Sequence, residues 1–120
     1  MRKTTESQEQ ISLFQWARMS TGLYPELKLL FHVPNEGKRT RYTGGKLLAE
    51  GLRPGVPDVC LPVPNRKYHG LFIEMKVGRN KPTDNQQFWL SSLAEQGYCT
   101  DVAYGWLDAK IIIENYLNDR

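Results

Sequence analysis

The sequence has few cysteines and no long apolar run. Its two cysteines, Cys60 and Cys99, are too few for a disulfide scaffold or a cysteine-based zinc site. No segment approaches the ~18 apolar residues of a membrane helix, and the first ten residues lack the apolar region of a signal peptide. We therefore expect a soluble, cytoplasmic protein with no membrane partner.

A strong excess of one charge is also missing. The 16 Lys and Arg residues against 13 Asp and Glu give a formal net charge of +3, which only mildly favours a polyanionic partner. Neither His32 nor His69 has the spacing of a metal ligand, and we find no internal repeat. Since single domains cluster at roughly 100–150 residues, the 120-residue length predicts one domain over residues 1–120.

Apolar periodicity predicts alternating helices and strands. The pattern indicates a helix from Thr5 to about Ser20, a strand over residues 27–33 (LKLLFHV) and a short helix over residues 46–52. A hairpin follows, with strands at 58–63 and 68–77 around a turn at 64–67. Next come a helix from about 84 to 96, a strand at 99–105 and a helix from 107 to about 117. The predicted apolar positions of the 84–96 helix are Phe88, Leu90, Leu93 and Ala94. This order of elements predicts an α/β fold.

The predicted hairpin brings two carboxylates together. If its turn centres on Arg66, residues whose numbers sum to 132 face each other, and Asp58 then faces Glu74. Such a pair has Cβ atoms roughly 5 Å apart, and Lys76 projects from the same face of its strand as Glu74. Two adjacent carboxylates are unfavourable unless a cation lies between them or one is protonated.

This cluster is typical of metal-assisted chemistry. Mg²⁺ and similar ions prefer carboxylate and carbonyl oxygens and suit phosphate substrates, while a nearby lysine can orient a water or hold the scissile phosphate. Asp58, Glu74 and Lys76 therefore predict metal-assisted phosphodiester hydrolysis. The alternative is a surface hairpin with a Glu–Lys ion pair.

Three further side chains are candidates for the same site. Glu6 and Gln10 share the helical face of Leu13, where buried polar groups need partners, although Glu6 alone also fits a helix N-terminus. Glu9 is predicted to lie off this face and to be solvated. Gln86 falls in the first turn of the helix after the hairpin, a position that favours phosphate.

These residues occur within five ordered motifs that resemble the VRR-NUC domain of the PD-(D/E)xK nuclease superfamily. The motifs are Glu6 with Gln10, Pro34–Gly37, Gly55–Asp58, Glu74–Lys76 and Thr83–Gln86. The resemblance covers about residues 5–105 and is similar to the short, stand-alone form typical of phages and prophages. In some members the last motif is Ser-Pro-Glu-Gln, and here Thr83 and Gln86 retain the capping residue and the glutamine.

The resemblance implies a fold and a set of roles. The fold is a restriction-endonuclease-like α/β core, a mixed β-sheet with a central hairpin flanked by helices. Asp58, Glu74 and the Met75 carbonyl would ligate Mg²⁺ or Mn²⁺, with Glu6 completing the site directly or through water. Lys76 would act on the attacking water, and Gln86 and Gln10 would orient the lysine, the water or the phosphate. Glu36 would either support the metal site or shape its loop.

Basic residues near these motifs are candidates for DNA contacts, with solvated loops as the alternative. They are Lys38, Arg39, Arg41, Lys46, Arg79 and Lys81, with Arg66 and Lys67 in the hairpin turn. No base-reading helix is evident, which favours recognition of DNA shape.

The resemblance therefore implies a structure-selective endonuclease for branched DNA, with a homodimeric Holliday-junction resolvase favoured and no small-molecule cofactor. Two symmetric cuts in a junction require two active sites about a dyad. The alternatives are a nuclease for flaps or forks, a non-catalytic nucleic-acid-binding module, and a small phage interaction protein that binds no divalent ion.

Overall fold

The fold is built from four helices, one 3₁₀-helix and four strands within the residues that the structure, a computed structural model, describes. These residues are 3–34 and 41–120, with the backbone alone for 41–44. The elements are α1 (Glu6–Met19), a 3₁₀-helix (Pro25–Leu29), β1 (Phe31–His32), α2 (Arg41–Ala49), β2 (Val59–Leu61), β3 (Leu71–Lys76), α3 (Asp84–Glu95), β4 (Cys99–Tyr104) and α4 (Trp106–Asn118). No helix in these residues is long and apolar enough to cross a membrane.

The strands form one mixed sheet in the order β1-β2-β3-β4. β1 pairs with β2 and β2 with β3 in antiparallel fashion, whereas β3 and β4 are parallel and are joined through α3. A parallel pair needs such a crossover because a tight turn cannot reverse the chain twice. The predicted α/β class and the mixed sheet with a central hairpin are confirmed.

The hairpin has the predicted register over shorter strands. Val59 faces Ile73 and Leu61 faces Leu71, so the paired numbers sum to 132. Both predicted strands were too long, since β2 and β3 span residues 59–61 and 71–76. Residues 62–70 form the connection between them. Asn65 organises this connection, and its side-chain oxygen accepts hydrogen bonds from the backbone N–H groups of Lys67 and Tyr68.

One face of the sheet forms the main hydrophobic core. Leu71, Ile73 and Met75 of β3 are each at most 1% exposed and pack with buried side chains of α1 and α4. Leu13 and Ala17 supply the contact from α1. Alternation along β3 therefore turns Phe72, Glu74 and Lys76 toward the opposite face.

α3 covers part of that opposite face and packs against β4. The predicted apolar positions of α3 were partly wrong, because Phe88 is 65% exposed and Ala94 is exposed, whereas Leu90 is buried. Leu90 is four residues after Gln86 and three before Leu93, which is the spacing of one helical face. Phe88 lies on the other side of the helix, edge-to-face with Trp89.

The strand predicted at residues 27–33 is mostly wrong. Residues 25–29 form the 3₁₀-helix, and only Phe31 and His32 pair with β2. Pro25 starts the helical turn, a position that suits its fixed φ angle. Leu27 and Leu30 are buried three residues apart, a helical spacing that a strand would not give. The helix predicted at 46–52 is also shifted, since α2 ends at Ala49.

The outer edge of β4 carries two carboxylates. Asp101 Oδ1 accepts a hydrogen bond from the Val102 N–H at 2.8 Å, and Asp108 Oδ2 accepts one from the Tyr104 N–H at 2.9 Å. The Gly105 N–H instead donates to the Lys76 carbonyl. Because N–H groups alternate in direction along a strand, those of Val102 and Tyr104 point away from β3. Side chains thus satisfy two backbone donors at an open sheet edge.

Candidate active site

Asp58 is fixed at the start of β2 by its backbone and its side chain. Its carbonyl oxygen accepts the Val33 N–H at 2.7 Å and lies 3.0 Å from His32 Nδ1. Its carboxylate oxygen Oδ2 accepts the Met75 N–H at 2.8 Å. The carboxylate is therefore held against the backbone of β3, beside Glu74.

Pro57 cannot donate a backbone hydrogen bond at the same place. Continuing the observed register by two residues sets Pro57 opposite Met75. Proline has no N–H group, so it cannot donate a ladder hydrogen bond to the Met75 carbonyl. The Met75 N–H and C=O point to the same side of β3, and the Asp58 carboxylate has taken the N–H. The Met75 carbonyl oxygen thus lies on the side of β3 that faces Asp58, where Pro57 cannot donate a hydrogen bond to it.

Glu74 and Lys76 are charged side chains buried inside the protein. Glu74 is 1% exposed and Lys76 is 6% exposed, and Lys76 Nζ lies 3.5 Å from Glu74 Oε2. The other carboxylate oxygen, Glu74 Oε1, is buried and has no hydrogen-bond partner among the described residues. A buried oxygen without a donor is unfavourable, so this position suits a ligand that Lys76 does not supply.

The electrostatics of Glu74 point the same way. Burial, followed by the negative charge of Asp58, raises the pKa of Glu74 from its usual 4.5 to about 8, although Lys76 acts in the opposite direction. One ammonium at 3.5 Å therefore does not compensate for the burial of this carboxylate beside another. A divalent cation would supply the missing positive charge, and carboxylate and carbonyl oxygens are the ligands that Mg²⁺ prefers. The residues present fit such an ion.

Gly55 brings the start of α3 to this site. A Cβ atom on Gly55 would lie 2.7 Å from the Asn85 backbone carbon, and its φ angle is +93°. Only glycine allows both the approach and this backbone conformation. The turn that leads to Asp58 therefore lies against the first turn of α3, next to Gln86.

Gln86 serves the helix cap in this structure. Its Oε1 accepts the Thr83 N–H at 2.9 Å, and Thr83 Oγ1 accepts the Gln86 N–H at 3.2 Å. This reciprocal pair is a capping box, and α1 begins with the same arrangement of Thr5 and Gln8. The side-chain oxygen of Gln86 is thus engaged, while the two hydrogens on Nε2 remain for a role at the site.

Comparison with known proteins agrees with this arrangement. The model of the VRR-NUC domain family matches residues 4–106, which include every element from α1 to the first residue of α4. The chain belongs to the VRR-NUC family. A solved structure described as a VRR_NUC domain protein is similar over 99% of this chain and 93% of that chain, with 27% sequence identity and a TM-score of 0.83. No curated protein matches the chain.

Membership of the VRR-NUC family implies a nuclease of the PD-(D/E)xK type, a class that generally uses divalent metal ions. The fold agrees, because a mixed four-stranded sheet flanked by helices is consistent with a restriction-endonuclease-like core. Asp58, Glu74 and Lys76, the charged residues predicted for that motif, lie together at one end of the sheet.

Glu6 and Gln10 are both half-buried on α1. Neither side chain makes a hydrogen bond to another described residue. Across residues 3–34 and 41–120, no three His, Cys, Asp or Glu side chains are grouped to hold a metal ion. The structure therefore pairs Asp58 with Glu74 and leaves Glu6 outside that pair.

Sequence reasoning missed Glu9. It was predicted to be solvated, but it is half-buried and its Oε1 accepts the Trp106 N–H at 2.8 Å. The sequence contains a signal for the burial of Glu9. This residue lies four positions before Leu13 and eight before Ala17, a spacing that keeps residues near one helical face. The prediction was wrong because the helical face around Leu13 and Ala17 is wide enough to include Glu9.

The structure describes only some of the residues that were predicted to contact DNA. Lys46, Arg79 and Lys81 are exposed, and the last two follow β3 directly. Their loop is held by Tyr104, whose hydroxyl donates to the Asn80 carbonyl at 2.9 Å. Glu36, Lys38 and Arg39, with the rest of the Asn-Glu-Gly motif, lie outside the described residues, as does the side chain of Arg41.

Proposed function

We propose that this chain forms one nuclease domain over residues 1–120, a Mg²⁺- or Mn²⁺-dependent endodeoxyribonuclease that hydrolyses phosphodiester bonds in branched DNA. One observation carries the proposal. Two carboxylates and a lysine converge at one end of the sheet, and a buried oxygen of Glu74 has no partner among the described residues. A divalent cation would compensate this excess of buried negative charge and could in turn bind a phosphate.

The metal would be held by Asp58, Glu74 and the Met75 carbonyl, with Glu6 reaching it directly or through water. When bound, it supplies Lewis-acid stabilisation of the phosphate and lowers the pKa of an attacking water. Burial of Glu74 and Lys76 favours this chemistry because charges interact more strongly where water is excluded. The raised pKa of Glu74 shows that the site, without a cation, disfavours its fully ionised form.

Lys76 would position the nucleophile and the phosphate. Its ammonium has three donors, and Glu74 Oε2 occupies one direction at 3.5 Å. The others can donate to the attacking water and to a non-bridging phosphate oxygen. The water oxygen bonds to phosphorus and releases a proton to solvent, the phosphorus–oxygen bond to the leaving sugar breaks, and that sugar oxygen takes up a proton from solvent. Gln10 and the Nε2 group of Gln86 would orient the lysine, the water or the phosphate.

Branched DNA is the proposed substrate, and a four-way junction is favoured. Exposed Arg79 and Lys81 lie in the loop after β3, so they can contact phosphates beside the cleavage site. A junction has two-fold symmetry, and paired cuts need two active sites related by a dyad, which a homodimer would provide.

Cleavage of defined substrates tests this proposal. Labelled four-way junction, flap and linear duplex DNA would be incubated with Mg²⁺, Mn²⁺ or EDTA, and the products mapped on sequencing gels. We expect paired symmetric nicks in the junction with either metal and none with EDTA. Cuts confined to flaps would replace the resolvase activity with a flap nuclease activity, and binding without any cut would indicate a non-catalytic module.

Matched variants assign the residues. Asp58→Asn should remove cleavage while DNA binding, measured in Ca²⁺ or EDTA, stays close to wild type. Lys76→Ala should lower the cleavage rate more than the affinity for Mn²⁺. Glu95→Gln, an exposed carboxylate of α3, serves as the control and should cut at the wild-type rate. Unchanged cleavage by Asp58→Asn would refute the assigned metal site.

A further inference from the structure

Glu9 connects two elements that are distant in sequence. Its Oε1 accepts the Trp106 N–H at 2.8 Å, although 97 positions separate the two residues. That N–H belongs to the first residue of α4, and no side chain at the N-cap position, Gly105, is present to satisfy it. Helix N-termini favour negative charge, so the carboxylate of α1 serves as the missing cap of α4.

The backbone at this junction favours glycine. Gly105 has a φ angle of +93°, and a Cβ atom on it would lie 3.1 Å from Glu9 Oε1. The φ angle is one that residues other than glycine rarely adopt. Glycine therefore lets the carboxylate reach the N–H of the next residue.

The same junction is hydrogen-bonded to the end of β3, the strand that carries Glu74 and Lys76. The Gly105 N–H donates to the Lys76 carbonyl at 3.1 Å, and the following N–H donates to Glu9. Two consecutive backbone donors thus tie α1 and the end of β3 to one point. Glu6 lies one helical turn before Glu9, and Gln10 directly follows it.

Packing alone does not fix α1 at this end. Its fully buried contacts, Leu13 and Ala17, lie further along the helix. Beside Glu9 is a recess of about 210 Å³, open to solvent, which Thr4, Val77, Gly78 and Tyr104 also line. Apolar contacts are non-directional, whereas a hydrogen bond weakens steeply when its angle changes. The Glu9–Trp106 hydrogen bond is therefore the directional contact in this region.

We propose that Glu9 is a positioning residue that sets the rotation and depth of α1, so that Glu6 and Gln10 face the metal and Lys76. This inference rests on the proposed nuclease function. It assigns Glu9 no contact with DNA or metal, because its effect passes through α1. The competing view is that Glu9 caps α4 and contributes stability alone.

Two substitutions at Glu9 separate these views. Glu9→Ala removes the acceptor, whereas Glu9→Gln retains an oxygen at the same place. Glu114→Ala is the control, since Glu114 is a half-buried helical carboxylate that pairs with Lys110, two turns into α4. Single-turnover cleavage would be measured at saturating DNA and Mn²⁺, well below each variant's Tm, and Mn²⁺ affinity would be measured separately by calorimetry.

We expect Glu9→Ala to lower the single-turnover rate about 10-fold and to weaken Mn²⁺ binding, on the scale of losing an outer-shell partner of a metal site. Glu9→Gln should restore most of both, and DNA affinity should stay within about 2-fold, since no DNA contact is removed. Because Glu9 acts through α1, Glu9→Ala combined with Gln10→Ala should be no slower than the slower single variant.

The outcomes that overturn the inference are distinct from those that overturn the function. A lowered Tm with wild-type rate and Mn²⁺ affinity in Glu9→Ala would reduce Glu9 to a helix cap. Additive losses in the double variant, or no rescue by Glu9→Gln, would also refute the positioning role. A wild-type protein that neither cuts DNA nor binds Mn²⁺ would instead refute the proposed nuclease, and the positioning role with it.

Discussion

The two faces of β3 are equally buried but differ in their energetics. Leu71, Ile73 and Met75 point into a close-packed apolar core, where burial stabilises the fold. Glu74 and Lys76, on the other face, are nearly as inaccessible, but one carboxylate oxygen has no partner among the described residues. The comparison teaches that burial stabilises the fold on one face and opposes ionisation on the other, where the charge is relieved by a proton or by a bound cation.

The largest expected effect comes from Glu74→Gln. Cleavage should fall by at least ~10²-fold, the scale on which preorganised active-site groups contribute. The unfolding free energy in EDTA should rise, because a neutral amide removes a buried carboxylate beside Asp58. Cleavage assays and urea unfolding measure the two quantities, and a lower stability in EDTA would contradict the contrast between the faces.

On the core face, Ile73→Ala should lower the unfolding free energy by about 2–5 kcal/mol, since it leaves a cavity in a packed interior. Below its urea midpoint, the variant should retain a cleavage rate within a few-fold of wild type, because Ile73 points away from the site. A stability loss under ~1 kcal/mol would show that this face is not close-packed. A loss of cleavage without unfolding would show that the two faces are not separable.

The pH dependence of stability is the next test. The unfolded chain releases the Glu74 proton near 4.5, whereas the folded protein retains it up to a pKa of about 8. The folded state thus binds more protons in this interval, and the unfolding free energy contributed by Glu74 falls as pH rises from 4.5 to 8 and is constant above it. Urea unfolding in EDTA at several pH values, for wild type and Glu74→Gln, isolates the effect as a difference. An identical pH dependence in both proteins would contradict it.

The smallest expected effect comes from α3, which covers the charged face of the sheet. Phe88→Ala should change the unfolding free energy by less than ~0.5 kcal/mol, as for most exposed positions, because Phe88 is 65% exposed. Leu90→Ala, the matched control on the buried side, should cost several times more. Equal losses from the two substitutions would mean that Phe88 contacts something in solution that the isolated chain does not contain.

The hairpin could be predicted from sequence because its information is local. A two-residue period and one turn determine which residues face each other, so Asp58 could be set opposite Glu74 from the numbering alone. The capping threonine of α3, Thr83, is likewise predictable, since a capping box depends on residues three positions apart.

Errors arose where tertiary contacts decide the structure. The apolar run at residues 27–33 matches a strand in composition, but Leu27 and Leu30 are buried at helical spacing against α1 and the sheet. Phe88 is one of the predicted apolar positions of α3, yet the helix presents Leu90 to the sheet. Glu9 could not be matched to Trp106 because nothing local to α1 indicates a partner 97 positions away.

The candidate site was predicted only in part for the same reason. The convergence of Asp58, Glu74 and Lys76 follows from one hairpin. The approach of α3 through Gly55, and the depth of α1 relative to the sheet, depend on packing between elements that are distant in sequence. Residues positioned by such packing can be named as candidates from the sequence. Their location relative to Asp58 and Glu74 cannot be predicted from it.

The carboxylates on the outer edge of β4 also bear on how copies of this chain can meet. An open strand normally invites an extended segment of another molecule to continue its hydrogen-bond ladder, which is how many proteins begin to form fibrils. Here Asp101 and Asp108 already occupy two of the donors such a segment would need, and the strand at the opposite edge is only two residues long. Concentrated protein should therefore resist sheet-to-sheet polymerisation, and any pairing of two copies must use helical or loop surfaces.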